Sequence, residues 1–318
     1  MSKMKSQSVS TKSFFLSSPS DHRFHVNGYV PADAKAKGMV LIIPGMAEHA
    51  GRYEEFATFL AENAYSVYIG DHPGQGKTAQ DLKNTGIISR QRGWQSMLEN
   101  VRALYTYIRK EHPEAPVFLF GHSMGSVLAR HFTAVYPVYI KGLILSGTFV
   151  MNRALLLPLL NLLRLKSIME GAENKSAWFN KLFYWNFNRH FKPRPTMYEW
   201  ISSDRQEVNT YAKDPYCGFY LSNGFFKEII KGVLATARAE SLITYRKTLP
   251  VLIMSGKEDP VGRFGKDAVK LHKNYFQQNF QHLSLKIFSG RHELLHEKNK
   301  EEVYDYLLDW INHSLTIK

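Results

Sequence analysis

Short runs of β-branched and aromatic residues alternate along this chain with longer stretches whose apolar residues return every three or four positions. The runs are SFFLSS (13–18), RFHVNGYV (23–30), MVLIIPG (39–45), YSVYIGD (65–71), PVFLFG (116–121), KGLILSG (141–147), PVLIMSG (250–256) and LSLKIFSG (283–290). The first two read as an antiparallel opening pair. The later ones are almost continuously apolar, as strands covered on both faces must be. Between them Trp94, Met97, Leu98, Val101, Leu104, Tyr105 and Ile108 fall at helical spacing, and so do Val303, Tyr306, Leu307, Trp310 and Ile311. Both stripes are expected to face a core. Strand and helix in alternation predict an α/β fold with a mostly parallel central sheet flanked by helices.

The alternation stops between 148 and 248. That segment shows no clear buried strand and many aromatics, among them Trp178, Phe179, Phe183, Tyr184, Trp185, Phe187, Phe191 and Trp200. The economical reading is a helical cap inserted into one core, so that 1–147 and 249–318 form its two parts. In an open parallel sheet such an insertion lies over the strand C-termini, where ligands bind.

Charge and cysteine content narrow the picture. Lys and Arg number 41 against 28 Asp and Glu, a formal net charge of +13. The basic residues are dispersed and match no nucleic-acid-binding motif, so no nucleic-acid partner is expected. A solvated basic surface is the plain reading; attraction to an anionic membrane is the functional one. Cys217 is the single cysteine. It permits no internal disulfide and no cysteine-based metal cluster, which fits a reducing compartment. The polar, basic N-terminus has no signal-like apolar stretch, and no apolar run reaches the length of a membrane span. A cytoplasmic protein, at most peripheral to a membrane, is expected. Oligomeric state is not legible.

The chemistry starts at FGHSMGS (120–126). The apolar run before it and the helical pattern after it, ending at Pro137, place Ser123 on a strand–turn–helix junction. Gly121 and Gly125 suit a turn too sharp for a Cβ. A serine hydroxyl needs an adjacent base, and in this context an acid and then a histidine should follow on loops after later strands. KEDPVG offers Asp259, with Glu258 as rival acid; RHELLHE offers His292, with His296 one turn on. His49 and His72 precede the serine, the wrong order for the base, and His122 is expected to pack beneath the turn. Asp71 follows a strand but precedes the serine and reads as structural. The expected roles are Ser123 as nucleophile, His292 as general base and acid, and Asp259 as its orienting carboxylate. Backbone N–H groups of Met46 and Met124 are the candidate oxyanion donors. Serine, histidine and backbone amides suffice, so no metal or organic cofactor is implied.

In this order, PGMAEHAGRYEEFATFL, GDHPGQGKT, FGHSMGS, SGKEDPVG and SGRHELLHE resemble the monoacylglycerol lipase and bacterial lysophospholipase group of α/β-hydrolases, a likeness spanning residues 39–310; DPYCGF is similar to its bacterial members. The resemblance implies an α/β-hydrolase fold, carboxylester hydrolysis of a single-chain lipid through an acyl-enzyme, and an acyl tunnel formed by the cap. It carries Ser123, Asp259, His292, Met46 and Met124 into the roles already given. The chain departs where the group usually has histidine in place of Pro44, and often histidine and serine in place of Gln75 and Thr78. None of these moves a proton, so the mechanism is expected to be kept, while the pocket edge and the loop hydrogen bonds are expected to differ from the group's. In the cap, ALLLPLLNLLRL (154–165) and the aromatics after it suit an acyl channel or a membrane surface, with Arg153, Arg164 and Lys166 at lipid headgroups. A thioesterase, acyltransferase or peptidase could use the same residues. A peptidase would need cap carboxylates for a free amine, and Glu170, Glu173, Glu199, Asp204 and Glu207 are present. A binding protein of hydrolase shape would be expected to have lost one of the three residues.

Overall fold

The computed structural model of the protein describes residues 8–19, 22–32, 34–88, 92–136, 139–241 and 247–317. In chain order the strands are Val9–Ser17 (β1), Arg23–Pro31 (β2), Gly38–Ile43 (β3), Tyr65–Gly70 (β4), Val117–His122 (β5), Gly142–Ser146 (β6), Val251–Gly256 (β7) and Leu283–Phe288 (β8). The helices are Glu54–Glu62 (α1), Gly93–Glu111 (α2), Met124–Val135 (α3), Arg153–Met169 (α4), Ala177–Asn188 (α5), Arg205–Lys213 (α6), Asn223–Ser241 (α7), Lys266–Gln277 (α8) and Lys300–Thr316 (α9). Pro137 and the first seven residues of the basic N-terminus lie outside the described residues.

One eight-stranded sheet runs in the order β1-β2-β4-β3-β5-β6-β7-β8. β1 pairs antiparallel with β2 and β2 with β4; every later pairing is parallel. The near-continuous apolar character of β3 follows from the period of two. Met39, Leu41 and Ile43 point into one layer with α2, α3 and α8, while Val40 and Ile42 point into the other with α1 and α9. β8 departs from the expectation of full cover. It is the edge strand, and only Phe288 within it is buried. The stripe of α2 is buried at all seven expected positions. In α9 the core takes Tyr304, and Tyr306 is left half-buried with its ring 5.5 Å from Phe288.

Between β6 and β7 the described residues form only helices and turns, α4 to α7. Tyr184, Phe191, Trp200, Ile201, Val208, Tyr211 and Cys217 make a separate small core there. The segment is nonetheless continuous with the main body. Leu156, Leu160 and Leu163 of α4 and Phe225, Ile230 and Val233 of α7 join the layer that holds α2 and α3. The approach of α7 is close, because a Cβ on Gly232 would collide with the Trp94 indole.

Candidate active site

The C-terminal ends of β3, β5, β6, β7 and β8 meet on one side of the sheet. At the end of β5 the chain turns into α3 through Ser123, whose φ of 51° and ψ of −119° put a non-glycine residue in sparsely populated backbone space. Its N–H donates to the Ser146 carbonyl at 2.9 Å, and its carbonyl accepts from the Ser126 N–H and hydroxyl. The turn fits because its neighbours are small: a Cβ on Gly125 would strike the Ile43 carbonyl, and one on Gly45 would lie 3.2 Å from the Ser123 Cβ. The loop after β3 thus lies directly against the serine turn.

Asp259, fully buried in the turn after β7, accepts through Oδ1 from the Val261 N–H and from His292 Nδ1, each at 2.9 Å. The proton on Nδ1 leaves Nε2 of His292 as an acceptor, and that buried nitrogen has no partner among the described residues. A Cβ on Gly147, next to the Ser146 that holds Ser123, would lie 3.0 Å from the His292 ring. Serine and histidine therefore flank the same strand end. Burial opposes the imidazolium of His292, but the Asp259 carboxylate, with Glu293 and Glu48 beyond it, outweighs burial and raises its pKa above 6.5. Burial and the neighbouring His292 push His122 well below 6.5, with the two rings 4.8 Å apart.

The rivals are engaged elsewhere. Glu258 is exposed, and His296 Nε2 donates to the Arg52 carbonyl at 2.8 Å. His72 is bonded to the Pro44 carbonyl at 3.1 Å, and burial lowers its pKa to about 4. Asp71 accepts from the Ala50 and Lys77 N–H groups and pairs with His25, a structural set.

Met124 opens α3, so its N–H has no intrahelical acceptor. The Met46 peptide is held from both sides by Gln75. The Gln75 side chain donates through Nε2 to the Gly45 carbonyl at 3.0 Å and accepts from the Ala47 N–H at 2.7 Å. Ala47 has φ 58°, and its carbonyl accepts from the Tyr211 hydroxyl and the Gly218 N–H. Behind this loop Glu48 Oε1 accepts from the Gly45 N–H and the Tyr53 hydroxyl. Arg52 pairs with Glu293, which follows the histidine. Burial works against the Glu293 charge, but Arg52 and His296 outweigh it and hold this carboxyl far below the usual range. Burial, then the Glu293 charge, raises Glu48 instead.

Sequence reasoning missed this bracing. Gln75 and Glu48 sit inside quoted motifs, yet nothing local shows what they touch. The Arg52–Glu293 pair spans 241 residues. Their signal is polarity in segments that must be buried.

His49, Asp214 and Cys217 also lie together. The His49 Nδ1 accepts the Gly51 N–H at 3.1 Å, so Nε2 carries the proton and donates to Asp214 at 2.9 Å. That tautomer is a neutral imidazole hydrogen-bonded to the carboxylate, with neither ring nitrogen free to ligate a metal. Burial pushes the Cys217 thiol up, the opposite of an activated thiolate.

A hydroxyl on a strained turn, a buried imidazole with one nitrogen unengaged and a carboxylate behind it are the parts of nucleophilic acyl transfer. On this sheet they define a serine ester hydrolase of the α/β-hydrolase fold. The chain belongs to the family described as serine aminopeptidase, S33, whose profile matches residues 34–299. Among curated relatives, a mouse monoglyceride lipase is 26% identical over 287 residues, covering 88% of this chain and 84% of its own. A monoacylglycerol lipase of Mycolicibacterium smegmatis is 26% identical over 286 residues, covering 88% and 89%. Among solved structures, a thermostable carboxyl esterase from Bacillus coagulans in complex with glycerol superposes with a TM-score of 0.84 at 27% identity, over 96% of this chain and 99% of that one.

Proposed function

We propose that the protein hydrolyses carboxylesters of single-chain lipids, monoacylglycerols or lysophospholipids, through an acyl-enzyme on Ser123, with residues 148–248 as the cap over the site. His292 Nε2 takes the Ser123 proton as Oγ attacks the ester carbonyl. The Met46 and Met124 N–H groups receive the oxyanion, and the imidazolium returns its proton to the departing alcohol. Water activated by the same nitrogen then releases the acid. Asp259 fixes the imidazole tautomer throughout. The observation that carries this reading is the buried Asp259–His292 bond at 2.9 Å with Nε2 unengaged.

The substrate class rests on the cap. Leu159, Phe179, Phe183, Phe219 and Met46 pack against the core yet stay partly exposed, as a lining for an acyl chain would. Each CH₂ buried there is worth about 0.8 kcal/mol. The relatives named monoglyceride lipase and monoacylglycerol lipase support the same class. Four of the five cap carboxylates are engaged by other groups. Glu170 pairs with Lys166, Glu199 accepts from Thr196, Asp204 caps α6 and Glu207 lies near Lys300.

The outer face of α4 adds a membrane role. Leu156, Leu160 and Leu163 are buried, while Leu155, Leu162, Leu165 and Met169 on the other side are more than half exposed, so the helix is apolar all round. Trp178 and Leu182 of α5 are exposed as well, and so are Arg153 and Arg164 of α4, Lys181 of α5 and Arg189 just after it. Such a face suits an anionic bilayer. Lys166 is not part of it: the side chain is buried on Glu170 and over the Trp178 ring. Hydrolysis rates for monoacylglycerols and lysophospholipids of several chain lengths, with Ser123→Ala as control, test the proposal. Turnover by Ser123→Ala, or none of either lipid by the native enzyme, overturns it.

A further inference from the structure

Three tryptophans of this protein are buried, and two have hydrogen-bond partners. Trp94 Nε1 donates to His131 Nδ1 at 2.8 Å, and Trp310 Nε1 to the Ser284 hydroxyl at 3.2 Å. Trp200 is 8% exposed, and its Nε1 is sealed from solvent with no acceptor among the described residues. An indole N–H can only donate, and leaving it buried and unpaired costs about 1–3 kcal/mol. The position of this residue says what the donor is for. The Trp200 carbonyl accepts the His292 N–H at 3.3 Å, and the next carbonyl, of Ile201, accepts the Glu293 N–H at 2.7 Å. The indole lies 5.2 Å from the His292 ring and 5.3 Å from Phe187, centroid to centroid. Ile201 and Val261 belong to the same apolar cluster as the indole.

We propose that the Trp200 indole N–H is a specificity element of the site, donating to a hydroxyl oxygen of the alcohol half of the bound ester. The inference rests on the lipid-ester reading above, since it needs an alcohol with oxygen beyond the scissile bond. The argument runs through His292. Its Nε2 hands the proton to the leaving oxygen, so the alcohol half must lie against that ring when it departs. A donor packed on the same ring is within the span of a glycerol moiety. With no acceptor among the described residues, a ligand oxygen is left as its partner. A simple alkyl alcohol cannot supply one, so it leaves the N–H unpaired as the free enzyme does. Discrimination by a buried donor of this kind works chiefly against ligands that lack the matching acceptor.

The test compares glyceryl monooctanoate with ethyl octanoate, which share the acyl chain and differ in the hydroxyls. Trp200 is replaced by 3-benzothienylalanine, which keeps the bicyclic ring and puts sulfur in place of N–H; Trp200→Phe is the second variant. The isostere is expected to lower kcat/KM for the glyceryl ester about tenfold while leaving ethyl octanoate within about twofold. Trp200→Phe should lower both, through lost packing on His292, but the glyceryl ester more. Equal losses on the two esters, or none with the isostere, overturn the proposal and leave the lipid-ester reading standing. Native enzyme with no preference for the glyceryl ester over ethyl octanoate is a different failure. It counts against the hydroxylated-alcohol reading itself and takes the Trp200 role with it.

Discussion

Replacing Gln75 by alanine isolates the contribution of loop geometry to catalysis. The side chain is fully buried and makes two hydrogen bonds, both to backbone groups flanking Met46. Alanine leaves the Gly45 carbonyl and the Ala47 N–H without partners. At about 1–3 kcal/mol for each buried unpaired group, the loss of stability is about 2–6 kcal/mol. The effect on rate comes from the peptide between them. Ala47 holds φ 58°, a conformation that persists only where its surroundings fix it. The Tyr211 and Gly218 contacts hold the Ala47 carbonyl, but only Gln75 holds both edges. If the Met46 N–H turns away, the oxyanion loses a donor, which is worth about 10²–10³ in kcat. Gln75→Ala is therefore expected to lower kcat at least tenfold with KM little changed, measured on p-nitrophenyl octanoate, and to lower the urea midpoint. Gln75→His is the informative companion, since imidazole also presents one donor and one acceptor and should restore most of kcat. Gln75→Ala with native kcat and reduced stability would refute the reasoning, because the loop would then hold its shape without the amide.

The raised pKa of His292 sets the direction of the pH profile. Ser123 needs a neutral base, so kcat/KM should fall on acidification with a midpoint above 6.5; a midpoint at or below that value contradicts the assigned pairing. The same group stabilises the fold in full below the unfolded value, about 6.5, and the contribution is lost as pH rises through the folded value. Asp259→Asn removes the opposing carboxylate, and burial should then bring the His292 titration, followed by its Cε1 proton resonance, below 6.5. Gly232→Ala should destabilise the protein by about 1–3 kcal/mol in urea, since the Trp94 indole it would strike is itself bonded to His131. Leu165→Asp with Trp178→Ala should lower co-sedimentation with phosphatidylglycerol vesicles while hydrolysis of soluble short-chain esters is kept; unchanged sedimentation speaks against the outer face of α4 as the docking surface.

The sheet was legible because its chemistry is local. Strands buried on both faces must be apolar at every position, and each of the eight runs stands where the sequence put it. β8 is the exception in degree, since an edge strand needs cover on fewer sides and its mixed run already carried Lys286. The placement of Ser123, Asp259 and His292 on loops past the ends of β5, β7 and β8 was legible because strand order fixes which loops converge. The bracing was not. Gln75 meets Gly45 and Ala47 only because β3 and β4 are adjacent, and Arg52 meets Glu293 only after the whole core closes. Polar residues with such distant partners carry no periodicity of their own. Lys166 failed for a related reason: a lysine in a basic, apolar segment reads as exposed, and its Glu170 partner one turn on is what buries it. Trp200 was read only as one aromatic among many, since nothing in a sequence tells a paired indole from an unpaired one.

The stitching between residues 199–203 and 291–297 has a mechanical consequence. Besides the two backbone bonds at His292 and Glu293, Arg291 reaches the carbonyls of Glu199 and Ser202, Ser202 donates to the His296 carbonyl, and Ser203 bonds to Glu297. This part of the 148–248 segment is fastened to the very loop that carries the proposed base. Swinging it outward would drag the imidazole off its carboxylate and stop the chemistry it was meant to admit substrate for. Residues 199–203 are thus a fixed side of the 148–248 segment; α4 and α5 make no such bonds to the histidine loop among the described residues, although Leu156, Leu160 and Leu163 seat α4 on the core. If substrate enters from a bilayer on the α4 and α5 side, as proposed above, these bonds keep the imidazole registered on its carboxylate during entry.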